Sequence, residues 1–271
     1  MEWFEAVILG IVQGLTEFLP VSSSGHLTIG KELLGIETAD DLVFEVLVHA
    51  ATVLSTIVVF RKQLWNLIKG FFRFRYNDET DYILKIFVSM VPVFVVGVFF
   101  KDFVEGLFQS IYVVGIALVI TSVLLFLSDA ASGARRSAPP LSEAKGYRNG
   151  ISYWQAFVVG IGQALAVVPG LSRSGTTIST GLLCGVRRDV MAQFSFLMVM
   201  IPILGESFLQ IVGGEMTASS VGVLPLALGF ISAFLSGLFA CKVMIALVKK
   251  ARLTWFAIYC AAVAILIFIF A

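Results

Sequence analysis

Two segments of this chain, 150 residues apart, carry the same pattern: an apolar run that ends in proline, serines and glycine. Residues 6–25 and residues 156–175 align without a gap and share eight of twenty residues, among them a glutamine, two serines and the final glycine. Proline and glycine interrupt a helix, and the free N–H groups and hydroxyls at the break make it polar. A polar break within apolar sequence is costly, so its repetition predicts a duplicated unit with a site at the two breaks.

The composition indicates a membrane protein. Of the 271 residues, 58% are hydrophobic and only 14% are charged, and the mean hydropathy is +0.95. A soluble core of this size could not bury so much apolar surface, so we expect an all-α polytopic membrane protein and find no support for nucleic-acid binding. The first apolar stretch lacks a basic segment before it, so we expect it to remain in the mature protein. Three cysteines stand singly in apolar runs and indicate neither a disulfide nor a metal site: Cys184, Cys241 and Cys260.

Six apolar stretches are long enough to cross about 30 Å of hydrocarbon as helices. They cover roughly residues 42–60, 83–100, 111–128, 190–212, 221–248 and 254–271.

The loop charges orient these spans. Basic residues are concentrated at residues 61–75, 135–148 and 249–252, which the positive-inside rule places in the cytoplasm. The intervening turns, at 101–110 and 213–220, then lie outside. The first span must also start outside, next to an acidic stretch. The segment 3–35 lies between an acidic N-terminus and this acidic stretch, both expected outside, so it must enter and leave the membrane on the external face. The corresponding segment 153–186 lies between Arg148 and Arg187, both expected inside, so it must enter and leave on the cytoplasmic face.

Each half of the chain is therefore predicted to be a re-entrant helical hairpin followed by three spans. Residues 1–128 form the first repeat, residues 129–150 a cytoplasmic linker, and residues 151–271 the second repeat. An odd number of crossings turns the second repeat upside down, which predicts an inverted-topology repeat. We expect the two broken tips to meet near the membrane midplane, where glycines allow close approach of helices.

The first break gathers side chains that can do chemistry. Gln13 and Glu17 lie four residues apart on one helix face. They are followed by three hydroxyls, a glycine and an imidazole: Ser22, Ser23, Ser24, Gly25 and His26. Ionisable groups at membrane depth are functional candidates, so this cluster predicts a site. On the following span, Glu45 and His49 share a face, and they either line the same site or pair within their helix.

The second break supplies an arginine among hydroxyls. Arg173 is accompanied by small polar residues that could contact a phosphate: Ser172, Ser174, Gly175, Thr176 and Thr177. A guanidinium at membrane depth requires an anion, and its planar fork binds phosphate through two hydrogen bonds. N–H groups at a helix start would complete a phosphate cradle. A purely structural salt bridge with Glu17 is the alternative, but it would leave His26 and the hydroxyls unexplained.

The segments GIVQGLTEFLPVSSSGH and PGLSRSGTT closely resemble the two signatures of the bacterial undecaprenyl-diphosphate phosphatases of the bacitracin-resistance type. The length, the spans and the repeat agree with that family over essentially the whole chain. The resemblance implies a multi-pass enzyme of the bacterial inner membrane that hydrolyses undecaprenyl diphosphate to undecaprenyl phosphate and inorganic phosphate. Such an enzyme recycles the lipid carrier of cell-wall synthesis.

The resemblance also implies roles for individual residues. Gln13 and Glu17 fill the first motif, Ser23 falls on the proposed nucleophile, His26 on a catalytic histidine, and Arg173 on the phosphate-binding arginine. A divalent cation, Mg²⁺ or Ca²⁺, is expected to assist. The family's first motif has either Glu or Gln at the position of Gln13. Because this chain has the neutral Gln, that cation would have to rest on Glu17, substrate phosphates and water.

Several alternatives remain open from the sequence. Ser23 attacks the phosphate with His26 or Glu17 taking its proton, or an activated water attacks instead. A different lipid-phosphatase family, which requires a histidine after its Ser-Arg motif, is excluded because neither histidine follows Arg173. A transporter or flippase of an anionic polyprenyl lipid is the other class that fits an inverted repeat. We expect the site to open to the external face, and the sequence leaves a homodimer open.

Overall fold

The computed structural model describes residues 1–36, 42–107, 110–134, 147–212, 221–250 and 252–270, and within these ranges it contains helices and no strand. The helices in chain order are α1 (Trp3–Phe18), α2 (Ser23–Leu34), α3 (Leu42–Phe71), α4 (Asp78–Phe99), α5 (Lys101–Leu107), α6 (Ile111–Ala134), α7 (Tyr153–Leu165), α8 (Arg173–Leu183), α9 (Arg188–Val212), α10 (Val223–Lys250) and α11 (Thr254–Phe270). A 3-10 turn, Arg148–Gly150, precedes α7. The prediction of an all-α protein is confirmed.

Among the described residues, five segments are long and apolar enough to cross a membrane as helices: Val43–Phe71, Asp78–Phe99, Ile111–Ser132, Arg188–Gly205 and Val223–Val248. The last apolar helix, α11, is shorter, with 17 residues. These six helices coincide with the six apolar stretches of the sequence. Their outer faces expose large apolar side chains such as Phe94, Phe239 and Ile269, which suits contact with hydrocarbon. The chain is therefore a polytopic membrane protein.

The helix ends depart from the ends of the apolar stretches. Helix α3 continues to Phe71, well past the first basic residues, and α4 already begins at Asp78, where the Asn77 side chain caps its N-terminus. The prediction of a turn at 101–110 is wrong for Lys101–Leu107, which forms α5. Charge ends an apolar stretch, but a helix ends only where its backbone hydrogen bonds stop or a cap ends them.

Helix α6 continues through residues 129–134 of the predicted linker. The remainder of that linker up to 146, the predicted turn at 213–220 and the acidic stretch 37–41 lie outside the described residues.

Each of the two repeated segments folds as a pair of short helices separated by a break. Helix α1 packs against α2, and α7 packs against α8. The four helices have 16, 12, 13 and 11 residues, so each is shorter than the about 20 residues that a full span needs. The breaks lie at 19–22 and 166–172, at the proline, glycine and serine positions of the repeat.

The two hairpins pack on matching partners from opposite halves of the chain. Helix α1 lies along α10, and α7 lies along α4. Glycine makes both contacts close: a Cβ atom added at Gly10 would lie 2.5 Å from the Gly229 carbonyl oxygen, and one at Gly160 would lie 2.3 Å from the Ser89 carbonyl oxygen. Both distances are too short for any side chain, and Gly10 and Gly160 are aligned residues of the repeat. The shared glycine therefore has a packing role in each copy.

Candidate active site

The two breaks are closed by the same serine cap. Ser22 Oγ accepts a hydrogen bond from the Gly25 backbone N–H at 3.2 Å, and Ser172 Oγ accepts one from the Gly175 N–H at 3.0 Å. Serine is a preferred N-cap because its oxygen satisfies one of the free N–H groups at a helix start. Local structure thus explains the first shared serine and the shared glycine, since the serine caps the second helix of its hairpin and the glycine donates to it.

The two breaks also contact each other. Ser24 Oγ accepts a hydrogen bond from the Gly170 N–H at 3.3 Å, and Ser174 Oγ donates one to the Leu19 carbonyl at 3.1 Å. Gly25 lies so close to Gly170 that a Cβ atom on Gly25 would be 3.4 Å from the Gly170 Cα. Two segments far apart in the chain therefore form one polar centre.

The Glu17 carboxylate is the group that the other polar side chains of this centre contact. Its side chain is only 6% exposed. Gln13 Nε2 and Ser23 Oγ donate to its Oε2 atom at 3.0 and 2.7 Å, and the Arg173 guanidinium lies 3.3 Å from its Oε1 atom. His49 Nε2 lies 3.8 Å from Oε2. The predicted residues of the first motif and the arginine of the second break are therefore brought together around one carboxylate.

Helix geometry explains why these particular side chains converge. Gln13 and Glu17 are one turn apart near the end of α1. Ser23 and Arg173 are aligned in the repeat, and each is the first residue of its helix, α2 or α8. Two helix N-termini, each with a positive end dipole, therefore point to the same place, which favours an anion there. In the structure that anion is the Glu17 carboxylate.

A small cavity lies beside Glu17 and Arg173. Its volume is about 20 Å³, enough for one water molecule. Its lining combines polar side chains with apolar ones: Glu17, Thr52, Thr56, Arg173 and Ser174 with Phe18, Val53, Phe196, Val199, Met200 and Ile203. The site is therefore amphiphilic, but a larger anion can enter only if neighbouring groups move apart.

His26 is hydrogen-bonded to groups other than Glu17. Its Nδ1 atom donates to the Ser22 carbonyl at 2.7 Å, and its Nε2 atom lies 2.8 Å from the Tyr259 hydroxyl, with the two rings stacked 5.6 Å apart. Both ring nitrogens are thus engaged by groups other than Ser23. A role for His26 as the base for Ser23 would require its side chain to rotate.

The two threonines of the second signature are buried, and Thr177 is directed to α9. Thr177 Oγ1 donates to the Arg173 carbonyl at 2.8 Å and lies 2.6 Å from Ser195 Oγ. Thr176 is buried, and its hydroxyl has no hydrogen-bond partner within the described part of the chain. These contacts make Thr177 a support for the first turn of α8, so any contact with phosphate would be indirect.

Two residues near the centre carry a weaker signal in the sequence. His49 was expected either to line the site or to pair with Glu45; it does line the site, while the Glu45 side chain pairs with Lys31 instead. Tyr259 belongs to α11, more than two hundred residues from His26, and no local pattern distinguishes it from a lipid-facing aromatic.

A divalent cation finds few donors here. Within the described residues, no three His, Cys, Asp or Glu side chains lie together. The Gln13 Oε1 atom is buried without a partner and could serve as one oxygen ligand. However, Glu17 is a single carboxylate whose charge is already balanced by Arg173, and Mg²⁺ and Ca²⁺ require more oxygen ligands than these two residues offer. The residues present do not fit a cation held by the protein alone.

The chain is similar to known proteins over nearly its whole length. The family model of the bacitracin resistance protein BacA matches residues 6–266. The undecaprenyl-diphosphatase of Parabacteroides distasonis is 52% identical over 96% of this chain and 95% of its own length. That of Bacteroides fragilis is 50% identical, over 98% of this chain and 97% of its own, and that of Halothermothrix orenii is 38% identical, over 100% and 99%. The family match spans both signatures and nearly the whole length, and the chain belongs to the BacA family of bacitracin resistance proteins.

Proposed function

We propose that this protein hydrolyses undecaprenyl diphosphate to undecaprenyl phosphate and inorganic phosphate, and so recycles the lipid carrier of peptidoglycan and other cell-wall polymers. The observation that carries the proposal is the Glu17 carboxylate, bonded to the Ser23 hydroxyl on one oxygen and facing Arg173 on the other. The names of the relatives support the same substrate. The amphiphilic walls of the cavity suit a phosphate head joined to a prenyl tail.

The reaction proceeds in two steps. Ser23 Oγ attacks the terminal phosphorus, Glu17 Oε2 takes the Ser23 proton, the bond from that phosphorus to the bridging oxygen breaks, and undecaprenyl phosphate leaves. The departing undecaprenyl phosphate takes that proton from Glu17, which is a carboxylate again. Water then attacks the phosphoserine, and Glu17 takes a proton from the water and passes it to Ser23 Oγ as the Ser23–phosphorus bond breaks, which releases inorganic phosphate and restores the Ser23 hydroxyl. The 2.7 Å hydrogen bond from Ser23 to Glu17 supports this order, because the proton acceptor already touches the nucleophile.

Arg173 changes partner during this cycle. In the structure it faces Glu17, and the adjacent cavity holds only about one water molecule. The terminal phosphate of the substrate carries more charge than a carboxylate, so it draws the guanidinium from Glu17 and leaves the carboxylate free to accept a proton. Arg173 and the N-termini of α2 and α8 then stabilise charge on the transferring phosphoryl group, the largest contribution expected in phosphoryl transfer.

The metal requirement remains a prediction. A cation that neutralises the diphosphate would arrive with the substrate, since Glu17 and Gln13 are too few to retain it. None of the steps above passes through a metal, and His26, whose ring nitrogens are occupied, has no assigned step either.

For the membrane arrangement, we infer an inverted-topology repeat with six spans and two re-entrant hairpins, whose site opens to the external face of the inner membrane. The matched packing of α1 on α10 and of α7 on α4 supports it, as do the matched serine caps. In a variant without native cysteines, a cysteine at Leu33 should react with an impermeant reagent from outside and one at Phe72 only from inside. The reverse labelling would overturn the arrangement.

The decisive test of function is phosphate release. Detergent-solubilised protein should release phosphate from undecaprenyl diphosphate with Mg²⁺ or Ca²⁺ present, and shorter prenyl diphosphates would define the part played by the tail. A mock preparation from cells that do not express the protein serves as the blank for contaminating phosphatases. Absence of release above that blank, together with movement of the lipid across a bilayer, would replace hydrolysis by transport.

A further inference from the structure

His49 is the one of the two histidines that faces the catalytic carboxylate. Its Nε2 atom lies 3.8 Å from Glu17 Oε2, which is within ion-pair distance, whereas His26 is bonded to Ser22 and lies against Tyr259. His49 belongs to α3, outside both repeated signatures. The inference that follows rests on the proposed hydrolysis and concerns what this second histidine does in it.

The ring of His49 is fixed in one orientation. Its Nδ1 atom lies 2.8 Å from the Glu45 carbonyl oxygen, and a carbonyl only accepts, so Nδ1 carries a hydrogen and donates it. The opposite nitrogen, Nε2, is therefore directed to Glu17, and it holds the carboxylate in the form of the ring that carries a hydrogen on both nitrogens. The Glu45 side chain is itself paired with Lys31 of α2, and α3 packs against α1 and α10, so the backbone that carries His49 is braced on several sides.

Three helices converge on a single oxygen of Glu17. Oε2 receives hydrogen bonds from Gln13 of α1 and Ser23 of α2, and His49 of α3 approaches it as well. Oε1 has Arg173 as its neighbour. When the substrate draws Arg173 away, Oε1 loses that neighbour, but the groups on Oε2 remain in place.

We propose that His49 is a positioning residue, which holds the Glu17 carboxylate against the Ser23 hydroxyl after Arg173 has turned to the phosphate. Gln13 performs the same task from within α1, but its amide moves with Glu17 because both belong to one helix. His49 belongs to a different helix, α3, so its contact fixes the carboxylate relative to a backbone that does not move with α1. Its contribution is therefore to the rate of the chemical step and not to substrate binding.

The test compares four variants in the phosphate-release assay. His49→Ala and His49→Leu remove both nitrogens, and the leucine retains most of the volume, so it controls for a packing defect. His49→Gln keeps an N–H donor near the same place. Ser55→Ala is the matched control, because Ser55 is buried on α3 and donates to the Phe234 carbonyl, away from Glu17.

We expect kcat to fall by about 10²-fold in His49→Ala and His49→Leu, the loss typical of a catalytic group misplaced by roughly 1 Å, with KM unchanged. His49→Gln should recover most of kcat, and Ser55→Ala should resemble the parent protein. Thermal unfolding in detergent shows whether each variant is folded.

Three outcomes would overturn the proposal: full kcat in a folded His49→Leu protein, a loss confined to KM, or His49→Gln as slow as His49→Ala. If the parent protein itself releases no phosphate, the proposed hydrolysis fails, and that result is distinct from any of these three.

Discussion

The two breaks share a backbone and a cap, yet they carry opposite chemistry. Where the first break places Ser23 at the start of its second helix, the second places Arg173. Where α1 carries Glu17, the aligned residue of the second hairpin is the apolar Val167. A duplication would account for the two similar polar turns, and in the proposed cycle the first supplies the nucleophile and the second holds the anion.

The backbones of the breaks differ as well. The first break places Ser22 in the left-handed region, with a φ of 72°, whereas the corresponding Ser172 has a φ of −67°. In the second break the left-handed residue is Gly170, with a φ of 86°, which is aligned with Pro20. The first break therefore stores strain in a residue with a side chain, and the second avoids it by using glycine.

Replacing the nucleophile should have the largest effect. We expect Ser23→Ala to reduce phosphate release to the background of uncatalysed hydrolysis, because no other hydroxyl is bonded to Glu17 within the described residues. Ser179→Ala in the second hairpin is the control, since Ser179 only bonds to Ser128 inside the bundle. A clear residual rate in folded Ser23→Ala protein would show that water attacks directly.

Replacing Arg173, the cationic side chain of the second break, should have the next largest effect. Arg173→Ala is expected to lower kcat by about 10³- to 10⁵-fold, as for other arginines that stabilise phosphoryl transfer. Arg173→Lys should recover little, because an ammonium lacks the planar fork. Turnover near that of the parent in either variant, measured on protein that elutes as a folded species in detergent, would remove phosphate binding from the second break.

Neutralising the carboxylate of the first hairpin should have a slightly smaller effect. Glu17→Gln keeps the shape but cannot accept the Ser23 proton, so kcat should fall by about 10²- to 10⁴-fold. Val167→Ala, at the aligned position of the second hairpin, should leave the rate unchanged. Equal losses in the two variants would mean that the two hairpins are not chemically distinct.

Replacing the two capping serines by glycine should have the smallest effect, a difference in unfolding temperature that reports the different backbone conformations of Ser22 and Ser172. Glycine loses the capping hydroxyl at both sites, but at Ser22 it also relieves a left-handed conformation worth about 1–2 kcal/mol. The entropic cost of glycine, about 0.5–1 kcal/mol, applies at both sites. Ser22→Gly should therefore unfold at a higher temperature than Ser172→Gly, because only Ser22 gains the relief of strain. The opposite order of midpoints in detergent would contradict the difference in strain.

Much of the site follows from local sequence. The spacing of Gln13 and Glu17 sets them one helical turn apart, and the serines of the repeat predict helix starts where the structure has them. The contact between Glu17 and Arg173 was also expected, as the structural alternative to phosphate binding. In the proposed cycle the salt bridge and the phosphate contact are successive states of the same arginine.

Other parts of the site could not be predicted, because they depend on packing between helices distant in the chain. The alternatives for His49 were equally compatible with its sequence position, and only the packing of α3 against α1 brings its ring to Glu17. His26 shows the converse: its place in the motif implies catalysis, but stacking on Tyr259 occupies it elsewhere. Helix ends such as Phe71 were missed because the apolar pattern stops before the backbone hydrogen bonds do.

The amino-acid sequence by itself determined the membrane setting, the duplicated hairpins and the residue types at each break, because these depend on hydropathy, loop charge and short-range helix signals. The tertiary structure decided which side chains share an oxygen of Glu17 and which histidine stands beside it. Those contacts join helices that are separated by many residues, and their distances depend on how closely glycines such as Gly10 and Gly160 let those helices approach. The repeat therefore indicates where the chemistry lies, and the packing determines which residues perform it.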